Sequence, residues 1–157
     1  MEQPAAKVRT CLWFESQGEE AARLYVSLLS DSYIETISRS EPEGPAQVVE
    51  LSLAGTPFTF LNGGPHYRLT PAASIAVRTG DQEETDRVWA ALVADGGAAG
   101  PCGWLTDRFG VSWQIIPEAL ARMLAAADVE AAGRAGEAMM KMTKIDIAGI
   151  ARAFAGV

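Results

Sequence analysis

The stretch GPCGWLTDRFGVSWQIIP, residues 100–117, predicts a β-hairpin. Trp104 begins the first strand, and the four residues 107–110 (DRFG) form the turn. Gly110 can adopt the positive φ that tight hairpin turns need. Pro117 ends the return strand, because proline cannot donate to a sheet. No strand pattern follows, so this hairpin closes the β-rich part of the chain.

The return strand has two unlike faces. Side chains alternate along a strand, so one face receives Val111, Trp113 and Ile115 and the other receives Ser112, Gln114 and Ile116. Gln114 is thus a polar residue in the middle of an apolar strand. A buried amide needs a hydrogen-bond partner, so this face could line a pocket.

The chain before the hairpin repeats one unit. Strands are predicted over 8–14, 32–40, 47–53 and 57–61, with a helix over 19–29, and a further strand and helix over 73–79 and 81–94. At an offset of 64 residues Glu19 falls on Glu83 and Tyr25 falls on Trp89, and the apolar positions of the two helices coincide. This pattern predicts a duplicated βαβββ unit.

The segment 118–157 is rich in alanine and methionine and carries no strand pattern. Helices are predicted over 118–126, 129–142 and 146–154, with Asp128 and Asp146 as N-caps. Such a helical extension packs either on its own domain or on a second subunit.

The composition bounds the function. The chain has 157 residues and a net charge of −7, which argues against nucleic acid and against an acidic membrane surface as partners. No apolar run approaches the roughly 20 residues of a membrane span. The N-terminal sequence has no apolar signal core, so a cytoplasmic location is expected.

Four motifs carry a resemblance to a known family: CLWFESQGEEAARLYVSLL, FTFLNGGPHY, GPCGWLTDRFGVSWQIIP and EAMMKMTKIDIA. They resemble the PhnB-like family, whose members often bear a demethylubiquinone methyltransferase label. That family is part of the vicinal oxygen chelate superfamily, with glyoxalase I and the bleomycin-resistance proteins. The resemblance implies an α+β fold in which two βαβββ modules form curled sheets around a shared cavity, usually in a homodimer. The expected modules are 1–66 and 67–117, with the extension 118–157, in one structural domain.

The resemblance also implies where a metal would bind. Superfamily enzymes usually hold a divalent metal with His, Glu or Gln side chains from the first and last strand of each module. The corresponding positions here are expected at Thr10, Phe60, Ser74 and Gln114. Zinc, nickel and iron prefer imidazole, thiolate or carboxylate ligands. We therefore expect neither a metal nor a cofactor.

The other candidate residues each have two interpretations. His66, the only histidine, is either a general base or ligand-orienting group or a loop residue that stabilises a turn. Asn62 either binds a substrate carbonyl or caps a turn. The predicted ligand-binding residues are Thr10, Trp13, Phe60, Asn62, His66, Ser74, Trp104 and Gln114.

Three functional hypotheses remain. The first is a protein that binds a small apolar or aromatic molecule without a metal. The second is a superfamily enzyme, of lyase, dioxygenase or transferase type, that uses a divalent metal or His66. The third is a protein whose dimerising helical extension carries the function. Methyltransferase activity with S-adenosylmethionine is not expected, because no glycine-rich turn follows the first strand.

Overall fold

The computed structural model describes residues 5–157, which divide into two compact units. The first ends at Leu69 and the second comprises Thr70–Val157. Each contains one βαβββ module, which confirms the predicted α+β class and the pairing of modules. The C-terminal helices belong to the second unit. The predicted grouping of all three segments into one structural domain stays a prediction.

The first unit contains one four-stranded mixed sheet and one helix. Its strands are β1 (Thr10–Phe14), β2 (Tyr33–Arg39), β3 (Ala46–Leu53) and β4 (Thr56–Asn62), and its helix is α1 (Gly18–Leu28). The strand order is β1-β4-β3-β2, with β1 parallel to β4 and the other pairs antiparallel.

Helix α1 covers one face of this sheet. Phe60 is fully buried there, with its ring centroid 4.8 Å from that of Phe14 and 5.8 Å from that of Tyr25 in α1. Burial of such rings supplies much of the core energy. The opposite face of the sheet carries the alternate residues, among them Trp13 and Thr59, which are only partly buried.

The second unit repeats this topology. Its strands are β5 (Ser74–Thr79), β6 (Ala98–Ala99), β7 (Trp104–Thr106) and β8 (Ser112–Pro117), and its first helix is α2 (Gln82–Val93). The strand order is β5-β8-β7-β6, with β5 parallel to β8. Sequence reasoning missed β6, because two alanines give no alternation to detect.

The predicted hairpin is confirmed. Strands β7 and β8 pair antiparallel, and Gly110 in the turn has φ of 86°. The buried Asp107 carboxylate accepts hydrogen bonds from the backbone NH groups of Phe109 and Val111 and from the indole NH of Trp113, at 2.9–3.0 Å. Asp107 therefore connects the turn to the buried Trp113. The sequence predicted Asp107 only as a turn residue.

The predicted offset of 64 holds for the helices but fails for the strands. Helix α1 begins at Gly18 and α2 at Gln82, a difference of 82 − 18 = 64. Three residues separate the end of β1, at Phe14, from the start of α1. Only two residues separate the end of β5, at Thr79, from the start of α2. The strands therefore correspond at an offset of 65.

The three predicted C-terminal helices are present as α3 (Glu118–Leu124), α4 (Val129–Met139) and α5 (Ile147–Ala155). The carboxylates of Asp128 and Asp146 cap α4 and α5 by accepting from Ala131 N and Ala148 N. The buried residues Leu120, Ala135, Ile145 and Ile150 form their shared core, and Ile116 of β8 packs against it. The extension thus packs on its own unit. Within residues 5–157, no helix combines the length and apolar composition that a membrane crossing requires.

Candidate ligand pocket

The second sheet brings three of the predicted site residues together. Gln114 donates from Nε2 to Ser74 Oγ across the parallel β5–β8 pair at 2.9 Å. Trp104 of β7 lies directly opposite Gln114 in the antiparallel register. These side chains share the face opposite Trp113, as the alternation of β8 predicts. The amide of Gln114 therefore has a partner within its own sheet.

A pocket of about 430 Å³ opens beside β6 and β7 in this unit. Its walls are largely apolar, and the lining residues are Pro71, Ala98, Ala99, Gly100, Pro101, Trp104, Leu105, Thr106 and Ser112. This volume falls in the range of small-molecule sites, about 300–1,000 Å³. Of the eight predicted site residues, only Trp104 lines the pocket.

Ser112 supplies a polar group that sequence reasoning missed. Its side chain is 2% exposed, and its hydroxyl finds no hydrogen-bond partner among residues 5–157. It lies opposite Thr106 in the hairpin and opposite Ser74 in the parallel pair. A buried unpaired hydroxyl is costly, so Ser112 is a destabilising polar group at the pocket wall in the part of the chain described. No sequence signal marks it, because serine is an ordinary strand residue.

The loop 100–103, of which Gly100 and Pro101 line the pocket, is tightly constrained. Gly100 N donates to Trp104 O at 2.8 Å, and Gly103 has φ of 83°. A Cβ atom at Gly103 would lie 2.8 Å from Ile115 O, closer than real contacts allow. Glycine is thus required at Gly103 by both conformation and space.

Thr10 and Phe60 lie elsewhere. Thr10 alternates with Leu12 and Phe14, so it lies on the face that α1 covers, and Phe60 is buried on the same face. The predicted equivalence of these residues with Ser74 and Gln114 is wrong. The strand offset of 65 makes Arg9 the counterpart of Ser74, and a one-residue slip exchanges the two faces of a strand.

Asn62 connects three elements of the first unit. Its Oδ1 accepts from Gly18 N at 2.8 Å, at the start of α1, and its Nδ2 donates to Ala46 O at 3.0 Å, at the start of β3. The side chain therefore caps and positions backbone. These contacts agree with the structural interpretation of Asn62; its predicted role in ligand binding is untested.

The two glycines after Asn62 have their backbone NH groups hydrogen-bonded. Gly63 N donates to Phe14 O at 2.9 Å, and Gly64 N donates to Glu15 O at 3.1 Å. The stretch therefore continues the pairing of β4 with β1.

The side chain of Trp13 packs against the loop that follows Asn62. Its indole NH donates to Gly64 O at 2.9 Å, and its ring meets Tyr67 edge-on at 4.9 Å. A Cβ atom at Gly63 would lie 2.2 Å from the Trp13 ring, so glycine is required there too. His66, which follows, is exposed.

The residues present do not fit a divalent metal of the superfamily type. Among residues 5–157, no three His, Cys, Asp or Glu side chains cluster closely enough to hold a metal ion. The polar groups at the pocket and its sheet are hydroxyls and one amide, which are poor ligands for zinc or iron.

Solved structures of other proteins resemble this architecture. A fosfomycin resistance protein, FosX, from Listeria monocytogenes, solved with Mn(II) and 1S,2S-dihydroxypropylphosphonic acid, is 13% identical with a TM-score of 0.52, over 73% of this chain and 93% of that one. A protein from Pseudomonas aeruginosa is 20% identical with a TM-score of 0.60, over 72% and 98%. The two βαβββ modules and these likenesses show that the chain shares the fold of these proteins.

The family is also shown. A family model described as 3-demethylubiquinone-9 3-methyltransferase matches residues 6–116. A PhnB protein from Bacillus cereus is 32% identical with a TM-score of 0.64, over 71% of this chain and 99% of that one. A search of the curated proteins found no match. The chain belongs to the PhnB-like family, as its motifs predicted.

Proposed function

We propose that this protein binds a small, largely apolar molecule in the pocket of its second unit, without a metal. The observation that carries the proposal is the buried, unpartnered hydroxyl of Ser112 at the wall of an apolar pocket of about 430 Å³. Ligand sites typically combine apolar walls with a few placed polar groups. A flat or aromatic molecule with one hydrogen-bonding group matches this pattern.

Trp104 gives the pocket an aromatic wall. Its ring can stack on a planar ligand, and offset or edge-on ring pairs add about 0.5–1.5 kcal/mol to area burial. The Gln114–Ser74 hydrogen bond holds the strand register beneath it. In this proposal, Gln114 positions the sheet, and ligand binding shifts the wall of the pocket enough to uncover the buried Ser112 hydroxyl, which then hydrogen-bonds the ligand.

The name of the family model does not by itself extend to this chain. A methyltransferase that uses S-adenosylmethionine needs a site for its nucleoside, commonly a glycine-rich turn with free NH groups. The glycine pair in the first unit has its NH groups bonded to Phe14 O and Glu15 O. The proposal is therefore ligand binding rather than methyl transfer.

A binding experiment tests the proposal with 1-naphthol, which offers two fused rings and one hydroxyl. Calorimetric titration of the wild type should give saturable binding, and EDTA should leave the affinity unchanged. In Ser112→Ala the affinity should fall about threefold to tenfold, the worth of one hydrogen bond. The unliganded variant should be as stable as wild type or more stable by about 1 kcal/mol, because an unpaired buried hydroxyl is removed.

The matched control is Ser52→Ala, a buried serine on β3 of the first unit. It should leave the affinity for 1-naphthol unchanged. Equal affinity of Ser112→Ala and wild type would show that the ligand binds elsewhere. Loss of binding in EDTA would show that binding requires a metal.

A further inference from the structure

The loop 100–103 carries the pocket-lining residues Gly100 and Pro101, and the C-terminal extension holds its other two residues, Cys102 and Gly103. Cys102 N donates to Met142 O at 2.8 Å, and Gly103 N donates to Thr143 O at 2.7 Å. Cys102 has φ of 58°, a left-handed conformation that a residue with a side chain adopts only when its surroundings impose it. These two backbone hydrogen bonds are such a constraint.

The segment 142–147 is itself fastened to helix α2. Gln82 donates from Nε2 to Ile145 O at 3.0 Å, and its Oε1 accepts from Ile147 N at 2.8 Å. One side chain thus satisfies two backbone groups just before α5.

An ion pair reinforces the same connection. Lys144 Nζ lies 2.7 Å from Asp86 Oδ1. The Lys144 ammonium, followed by the Gln82 amide, holds the pKa of Asp86 below its usual range. Helix α2 is therefore joined to the segment by side chains one helical turn apart.

Packing connects the segment to the loop as well. Ile145 is fully buried in the core of the extension. A Cβ atom at Gly103 would lie 3.2 Å from Ile145 Cγ1, so the loop backbone rests against this side chain. Ile145 therefore packs against both the loop and the core of the extension.

We infer that the segment 142–147 sets the shape of the pocket by holding the wall loop, so that ligand affinity and the order of this segment are coupled. The inference rests on the proposed function. It assigns a role to residues beyond the family match, which ends at residue 116. Coupling of this kind is reciprocal, so a ligand in the pocket must also stabilise the segment.

The test is Gln82→Leu, which removes both contacts to the segment and leaves the pocket lining intact. The dissociation constant for 1-naphthol should rise about threefold to tenfold. Hydrogen exchange provides a readout that a general loss of stability would not produce. The amides of Cys102 and Gly103 should exchange faster, as should that of Ile115, which donates to Gly103 O, while the other amides of β8 keep their wild-type rates. In the wild type, saturating 1-naphthol should slow exchange at Cys102, Gly103 and Ile147.

Glu83→Leu is the control, since Glu83 is the exposed neighbour of Gln82 in the first turn of α2. It should change neither the affinity nor the exchange at the loop. If Gln82→Leu does not fold, Gln82→Glu keeps the acceptor for Ile147 N but sets a carboxylate oxygen against Ile145 O and Asp86 Oδ1 in place of the donor, and it should shift both readouts in the same direction.

The outcomes separate the two proposals. Wild-type protein that does not bind 1-naphthol contradicts the proposed function and this inference with it. Wild-type binding with unchanged affinity and unchanged loop exchange in the Gln82 variants overturns the inference alone. Exchange at Ile147 that ligand does not slow also overturns it, because linkage requires the reciprocal effect.

Discussion

Several polar side chains in this chain hydrogen-bond the backbone of other segments. The side chains of Asn62, Asp107 and Gln82 each hydrogen-bond two backbone groups of other residues. A buried backbone group without a partner costs about 1–3 kcal/mol, so the polar side chains that satisfy such groups act as structural connectors. Ser112 is the exception, since its buried hydroxyl has no partner in the part of the chain described.

Replacing Asn62 with leucine tests its role as a connector. The change leaves Gly18 N and Ala46 O, both on buried residues, without their side-chain partner. Urea unfolding should show a loss of about 2–4 kcal/mol in the free energy of unfolding, from two unpaired groups. Affinity for 1-naphthol should stay at the wild-type value. The control is Thr59→Val, on the opposite face of β4, which should change stability by less than about 1 kcal/mol because Thr59 is only partly buried. Preserved stability with lost binding would instead support the ligand-contact interpretation of Asn62.

At the scale of elements, an ion pair links α1 to the end of β2. Glu19 Oε1 lies 2.7 Å from Arg39 Nη2 and 2.8 Å from Arg23 Nη2. The hydrogen bond from Arg39, then that from Arg23, holds the pKa of Glu19 below its usual value of 4.5. Arg39 lies 20 residues from Glu19 in the sequence, so local spacing could not identify it as a partner.

The lowered pKa predicts a pH dependence. Because the folded state binds the Glu19 proton less readily than the unfolded state, the stabilisation is complete above pH 4.5 and is lost as the pH falls through the folded pKa. Glu19→Gln should therefore lower the urea midpoint at pH 7, and the difference from wild type should shrink below pH 4.5. Urea titrations at several pH values measure this. Glu83→Gln, at the equivalent position of α2, should leave the midpoint unchanged at every pH. A difference that grows on acidification would reverse the assigned sign.

Element order and type could be predicted from the sequence because strand and helix periods differ. The registers could not, as β1 and β5 show. Equating Thr10 with Ser74 at the helix offset placed Thr10 on the wrong face, because the loops before α1 and α2 differ by one residue. An aromatic strand residue such as Phe60 can pack in a core or line a pocket, and the sequence pattern does not distinguish the two. Gln114 and Trp104 were placed on a common face correctly, because the hairpin turn fixes their register.

At the scale of the molecule, the two units share a topology but differ in what their sheets carry. The first packs aromatic rings under α1 and fastens its glycine pair with Trp13. The second carries the apolar pocket and the helical extension. Duplication followed by divergence of this kind leaves one fold free to hold different sites. The predicted cavity shared between the two sheets stays a prediction.

The homodimer implied by the family resemblance also stays a prediction, and the extension offers a way to test it. Val129, at the first turn of α4, is 80% exposed, and Met140, after its end, is 67% exposed. Single exposed apolar residues also occur on monomers, so these two side chains locate a candidate contact and the mass in solution decides whether the dimer forms. Light scattering at micromolar concentration should give twice 16.7 kDa. Val129→Glu should shift the mass toward one chain, because burying a carboxylate in an apolar contact is costly, whereas Glu130→Gln beside it should not. A wild-type mass of one chain would refute the dimer, and a dimeric Val129→Glu would show that the contact lies away from this part of the extension.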